Sequence, residues 1–320
     1  MRIFIELPSW LGDSVMASAS IENICQNFSK TPIKIVFFGA FVSCELFITH
    51  PNCEQAIIDK SKEQMPKISL FKPFYRLLYL RKITKNLGKF DIALSFRSHF
   101  ASKVLLSSVK ADKKAIFKPN LNATHQVLKY LNFVNSALNL KPINTALRLH
   151  FTPLKKSAKK RLGINAGASY GDAKRWGAHN FAKVGLELAK DYDIFIFGAK
   201  SEQKIAEQIT KILSENKVNF INLCGKTSIK ELCENIAALD LFITNDSGPM
   251  HIGAAFKVPM VAIFGPTRAD ETAPYGNERA KIIKLNLPCQ PCMRRHCPLK
   301  HHNCMEQITP KMVLECALQA

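Results

Sequence analysis

Two rhythms of apolar and polar residues take turns along this chain. Residues 2–7 are a short, nearly continuous apolar run, which predicts a buried strand. Residues 14–28 follow with Val15, Ala19, Ile21 and Ile24 spaced for one buried helix face. The same alternation predicts strands at 33–38, 90–96 and 115–118. It predicts helices at 71–87, about 98–108, and 125–138. The helix at 71–87 is basic and amphipathic, with Phe74, Leu77, Leu78, Leu80 and Ile83 on its apolar side. Around 149–160 the pattern turns polar, with Pro153 and the run Lys155, Lys156, Lys159 and Lys160, and a linker is placed there. The alternation then restarts. Strands are predicted at 161–166, 193–197, 220–223, 241–244 and 258–264, and helices at 180–190, 201–213, 229–238 and 250–256. Strands alternating with helices imply parallel sheets. The fold class is therefore α/β: two Rossmann-like domains, residues 1–152 and 153–320, with parallel sheets facing a central cleft. A chain of 320 residues is also too long for one ordinary core.

No apolar run reaches the length of a membrane span, and the chain enters a strand at once with Glu6 close behind. Neither a signal peptide nor a transmembrane helix is read, so a cytoplasmic protein is expected. The net charge of +20 changes the picture more. Between Lys60 and Lys118 there are 15 basic residues against the acids Glu63, Asp91 and Asp112. Such a field attracts nucleic acid, an anionic membrane surface or a phosphorylated substrate, unless it is only a solvated face. No zinc-finger, RNP or helix-turn-helix signature accompanies it, and aromatics do not interleave with the basic run. Among ten cysteines, Cys25, Cys44, Cys53, Cys224, Cys233 and Cys316 lie in apolar or helical contexts and read as reduced core residues.

Candidate chemistry falls in four loops, each placed after a predicted strand. The most specific is Asn245-Asp246-Ser247-Gly248-Pro249-Met250-His251. Pro249 suits a first helical turn. Amides of Ser247, Gly248 and Met250 at a helix N-terminus suit a phosphate, with Asp246 and His251 beside it. The plainer reading is an Asp cap and a packed His. In Trp10-Leu11-Gly12-Asp13, Gly12 allows a tight turn and Asp13 stands at a helix N-terminus, ionised and able to take a proton from a hydroxyl; a plain helix cap fits as well. In 167–176, small residues let amides approach phosphate, and Lys174 and Arg175 supply charge. No Gly-x-Gly-x-x-Gly is present, so this is not the dinucleotide fingerprint. In 198–202, Glu202 is either a ribose ligand or a first-turn helix residue.

Pro8-x-Trp10-Leu11-Gly12-Asp13, Ala173-Lys174-Arg175-Trp176, Asn245-Asp246-Ser247-Gly248-x-x-His251 and Phe264-Gly265-Pro266-Thr267 together resemble the bacterial lipopolysaccharide heptosyltransferase family, its type II members in particular. The likeness covers nearly the whole chain and is weakest over 60–119. It implies a GT-B fold, ADP-L-glycero-D-manno-heptose as donor substrate, and the first heptose of a lipid A–inner core acceptor. It also implies inversion at the anomeric carbon with no cofactor or catalytic metal, work at the inner face of the cytoplasmic membrane, and no nucleic-acid partner. By this resemblance Asp13 is the catalytic base, Lys174 binds the diphosphate and Glu202 the ribose. Asp246, Ser247, Gly248 and His251 complete the donor site. Where the family usually has Pro after Lys-Arg-Trp, this chain has Gly177. A type I heptosyltransferase, another ADP-sugar transferase, a nucleotide-sugar epimerase and a non-catalytic nucleic-acid binder stay open as alternatives.

Cys289, Cys292, Cys297 and Cys304 form a separate cluster, interrupted by Pro288, Pro291 and Pro298 that keep it out of regular structure. Four thiolates suit a structural zinc, but these spacings match no common zinc ribbon. A reduced loop packed beside the donor site fits equally.

Overall fold

The computed structural model describes residues 1–320 other than 62, 64–71, 120–122 and 156–157; of 72–74 it gives the backbone alone. The chain forms two compact units, Met1–His150 and Phe151–Ala320.

The first unit runs β1 (Arg2–Glu6), α1 (Leu11–Asn27), β2 (Lys34–Gly39), α2 (Phe41–Phe47), β3 (Cys53–Ile58), α3 (Lys72–Lys85), β4 (Lys89–Ser95), α4 (Phe100–Ser108), β5 (Lys110–Ile116) and α5 (Gln126–Leu138). Its strands pair in the order β3-β2-β1-β4-β5, all parallel. β1 is the centre, and Ile3, Phe4 and Ile5 on it are fully buried. That is why residues 2–7 read as a continuous run: helices cover both faces of a parallel sheet. Each such side chain contributes about 1.5–3 kcal/mol by leaving water. The edge strand β5 differs, with Lys110, Lys113 and Lys114 exposed. Lysines on an open edge discourage pairing with another chain, so part of the basic run has a structural use.

The second unit runs β6 (Lys160–Asn165), α6 (Ala178–Leu188), β7 (Tyr192–Phe197), α7 (Gln203–Glu215), β8 (Phe220–Asn222), α8 (Ile229–Ala237), β9 (Leu241–Asn245), α9 (Gly248–Ala255), β10 (Met260–Phe264), α10 (Ala269–Thr272), β11 (Ala280–Lys284), α11 (Asn303–Glu306) and α12 (Pro310–Ala317). The strand order is β11-β10-β9-β6-β7-β8, again all parallel. Its core gathers Leu162, Ile164, Trp176, Phe181, Ile243, Ile263 and Met305. In each sheet the strand order reverses beside the first strand, so the loops after β1 and β4, and after β6 and β9, leave from a switch point. Open α/β sheets take ligands there.

Several boundaries differ from the sequence reading. α1 begins at Leu11, capped by Trp10 without a side-chain bond, so Gly12 and Asp13 belong to its first turn and not to a tight loop. α2, β3 and everything after Thr267 were not expected, and β5 starts at Lys110, five residues before the apolar run that suggested it. Of the apolar side expected for the helix at 71–87, Leu80 is buried and Ile83 packs against the same core, whereas Leu78 is 46% exposed. Phe71, the Phe74 side chain and Lys156 lie outside the described residues. Cys44, Cys224 and Cys233 are buried as expected, but Cys25, Cys53 and Cys316 are only half-buried. No helix among the described residues is long and apolar enough to cross a membrane.

Candidate active site

The loop after β6 is pinned at both ends. Trp176 is fully buried, packs on Phe181 at 5.0 Å, and its indole N–H donates to the Ile308 carbonyl at 2.7 Å. At the other end, Asn245 on β9 bridges the loops: its Nδ2 donates to the Ala166 carbonyl at 2.7 Å and its Oδ1 accepts the Trp176 amide at 3.2 Å. Asn165, at the end of β6, donates to Ser247 Oγ at 3.0 Å. These buried amides tie the loops after β6 and β9 into one piece.

Lys174 lies on that piece, at the end of the short 3₁₀ turn Asp172–Lys174. Its Nζ donates to Asp246 Oδ2 at 2.5 Å, and Thr267 Oγ1 donates to the same oxygen at 2.6 Å. Lys174 is 12% and Asp246 4% exposed, so the pair is screened little by solvent. Three loops, after β6, β9 and β10, therefore meet at one carboxylate. Ser247 caps α9, Pro249 sits in its first turn, and the Gly248 and Met250 amides have no partner within the helix. His251 is buried in that helix.

Glu202 is buried below the loop after β7, and its Oε2 accepts the Ala199 amide at 2.8 Å. A Cβ at Gly167 would run into its carboxyl group, so a larger residue there would push the Glu202 carboxyl aside. Glu202 is thus both a first-turn residue and a side chain that touches the loop after β6. Arg175 has a buried Nε with no hydrogen-bond partner. Gly177 takes φ 96° at the start of α6, a conformation that Pro cannot adopt.

Asp13 lies in the other unit, in the first turn of α1. Burial pushes the Tyr130 hydroxyl well above its ordinary pKa and the Asp13 charge adds to it, which puts the carboxylate near that ring. The helices leaving this sheet edge begin with exposed aromatics: Trp10 is 51%, Phe41 54% and Phe100 75% exposed. Glu6, at the end of β1, is a buried carboxylate that sequence reasoning missed. Burial raises its pKa against the Ser95 hydroxyl, which donates at 2.6 Å, and Arg97 at 3.4 Å. An acid inside an otherwise apolar strand was the signal available.

Cys289, Cys292, Cys297 and Cys304 line one cavity, together with Ala173 and Pro266 from the loops after β6 and β10. Burial, then the neighbouring thiols, pushes Cys304 up to about 11. Among the described residues, three potential metal ligands meet elsewhere: Glu22, His50 and His150 have ligand atoms within 4.8 Å of one another. The Asn52 amide donates to His50 Nδ1 at 3.1 Å, which leaves the proton on Nε2, aimed at Glu22. His150 Nε2 lies 2.7 Å from the same Glu22 oxygen, so the three side chains contact one another directly.

Residues 83–303 match glycosyltransferase family 9 (heptosyltransferase), and the chain belongs to that family. It is 46% identical to lipooligosaccharide heptosyltransferase 2 of Campylobacter jejuni, over 98% of this chain and 97% of that protein. It is a glycosyltransferase, and by this full-length likeness a heptosyltransferase of the second type. The structure of ADP-heptose LPS heptosyltransferase II from E. coli superposes with a TM-score of 0.79 at 22% identity, covering 100% of this chain and 99% of that one. E. coli WaaC with ADP-2-deoxy-2-fluoro heptose gives 0.74 at 15% identity, covering 98% of both. The fold is thus that of the GT-B heptosyltransferases.

Proposed function

We propose that this chain moves heptose from ADP-L-glycero-D-manno-heptose onto the first heptose of a lipid A–inner core acceptor, inverting the anomeric carbon. The observation that carries the donor half is the Lys174–Asp246–Thr267 network at the switch point of the second sheet. In this reading the second unit is the nucleotide-sugar domain and the first takes the acceptor. Asp13 accepts the proton of the acceptor hydroxyl as its oxygen attacks the anomeric carbon. The bond from that carbon to the β-phosphate oxygen breaks, and negative charge collects on the departing ADP. Lys174 and the first-turn amides of α9 meet that charge. Glu202 holds ribose hydroxyls, and Asp246 with His251 orients the heptose. The residues needed come from the chain itself, and no metal enters the step.

The exposed aromatics and basic surface of the first unit support an acceptor that carries phosphates and sits in a membrane. The protein then works from the cytoplasmic side as a peripheral membrane enzyme. Structural zinc at Cys289, Cys292, Cys297 and Cys304 is a separate proposal. Metal analysis of untagged protein settles it: one zinc per chain, with four thiols released by a chelator, supports it, and metal-free protein with four titrating thiols rejects it. For the reaction, the experiment is incubation of ADP-heptose with an acceptor ending at the first heptose, read by mass spectrometry. One added heptose per ADP supports the reading. Transfer only to an acceptor that lacks the first heptose would assign the type I reaction instead.

A further inference from the structure

We infer that Arg295, carried on the cysteine-rich segment, is a second cation for the donor's diphosphate, seated on Tyr170 beside Lys174. The inference rests on the donor-site reading above and extends it to a segment that reading does not use.

Charge is the first reason. Lys174 is already bonded to Asp246, so this cation meets an incoming diphosphate with its charge matched. Arg295 is exposed, and among the described residues no carboxylate lies within ion-pair distance of it. Asp172, the carboxylate of the same loop, faces His296 at 2.8 Å instead. Arg295 is therefore a cation with charge to spare, close to Lys174 across the Tyr170 ring.

Placement is the second. The Arg295 guanidinium lies 5.3 Å from the centre of the Tyr170 ring, and Lys174 Nζ lies 4.9 Å from the same centre. Stacking on a ring holds a guanidinium without neutralising it, and its donors then match a phosphate in pairs. The backbone beneath is fixed. The Ala173 amide donates to the Arg295 carbonyl at 3.1 Å, and the Met293 amide donates to the Pro266 carbonyl at 2.9 Å. The Tyr170 hydroxyl donates to the Met293 carbonyl at 2.8 Å. Gly171 has no room for a Cβ against Arg295, so the two segments touch main chain to main chain. The cysteine-rich segment thus grips the loops after β6 and β10 and presents the Arg295 guanidinium beside Tyr170.

The test is calorimetric titration of the full chain with ADP and with adenosine. Wild type, Arg295→Ala, Arg295→Lys and Lys174→Ala are compared. Arg295→Ala should weaken ADP about tenfold and leave adenosine unchanged, and Arg295→Lys should recover part of the loss. ADP binding by Arg295→Ala within twofold of wild type overturns the inference. An equal loss for ADP and adenosine also overturns it, because a phosphate contact cannot act on a ligand without phosphate. If Lys174→Ala weakens ADP and Arg295→Ala does not, the donor-site reading survives and this inference alone fails. If neither does, both fail.

Discussion

In the second unit, Lys174, Asp246 and Thr267 are bonded to one another, and Asn165, Asn245 and Glu202 are tied into neighbouring loops. In the first unit, the equivalent sheet edge presents Trp10, Phe41 and Phe100 at least half exposed around the start of the helix that holds Asp13. The same parallel-sheet edge is thus finished in two ways. One is a lattice of side chains hydrogen-bonded to one another. The other is an exposed surface of aromatic rings around Asp13, laid over the buried Glu6 that Ser95 and Arg97 hold. A preorganised polar lattice suits charge that develops in the transition state, because nothing need reorient as ADP departs. An open aromatic surface suits a large, amphipathic acceptor whose rings and acyl chains cover it.

The comparison breaks most sharply at Asp13. Asp13→Asn should lower turnover by roughly two orders of magnitude or more while ADP affinity stays within a factor of about two. Initial rates and ADP titration on the same preparation check this. Unchanged turnover would take Asp13 out of the chemistry.

The lattice is tested next. Lys174→Ala leaves the Asp246 carboxylate buried with only Thr267 to hold it, facing an incoming anion. ADP affinity should fall about 10–100-fold by titration. Asp246→Ala should hurt the sugar nucleotide more than ADP; equal losses would place Asp246 in the scaffold.

How much of this was legible in the chain depends on separation and exposure. The buried strands showed because parallel sheets leave an unbroken apolar run. β3 did not, and β5 showed only at its last residues, because Glu54 and Gln55, and the lysines of β5, are edge-strand residues facing water and erase the period. The start of α1 was misplaced because Trp10 makes no side-chain cap to mark it. Lys174 and Asp246 were each readable from their loops, but their bond spans 72 residues and no local pattern encodes it. Arg295 looked like one more charge among many; only its seat on Tyr170 sets it apart.

A smaller effect is expected inside the first unit, at Glu22. Burial alone would raise its pKa, but hydrogen bonds from His150 and His50 outweigh that and hold it down at about 2. The folded pKa lies below the unfolded one. The stabilisation is therefore complete above the ordinary carboxylate value of 4.5 and is lost as pH falls from there through about 2. Glu22→Gln should cost about 1–3 kcal/mol at neutral pH and flatten the acid limb in that window, read by denaturant melts at several pH values. An unchanged acid limb would remove the trio from the account of stability.

The smallest effect concerns the membrane. The surroundings of α3 should bind anionic vesicles with about 1 kcal/mol per engaged Lys or Arg, and release them as salt rises. Binding that ignores ionic strength, or is missing at low salt, would favour a merely solvated basic face.

The central claim, that one lattice activates the donor while Asp13 activates the acceptor, is tested most directly by acceptor-dependent ADP release. Wild-type protein given ADP-heptose and an inner-core acceptor ending at its first heptose should release ADP in step with heptosylated product. Asp13→Asn should bind ADP normally and release almost none. ADP release at the same rate with and without acceptor, or full turnover by Asp13→Asn, would contradict the account.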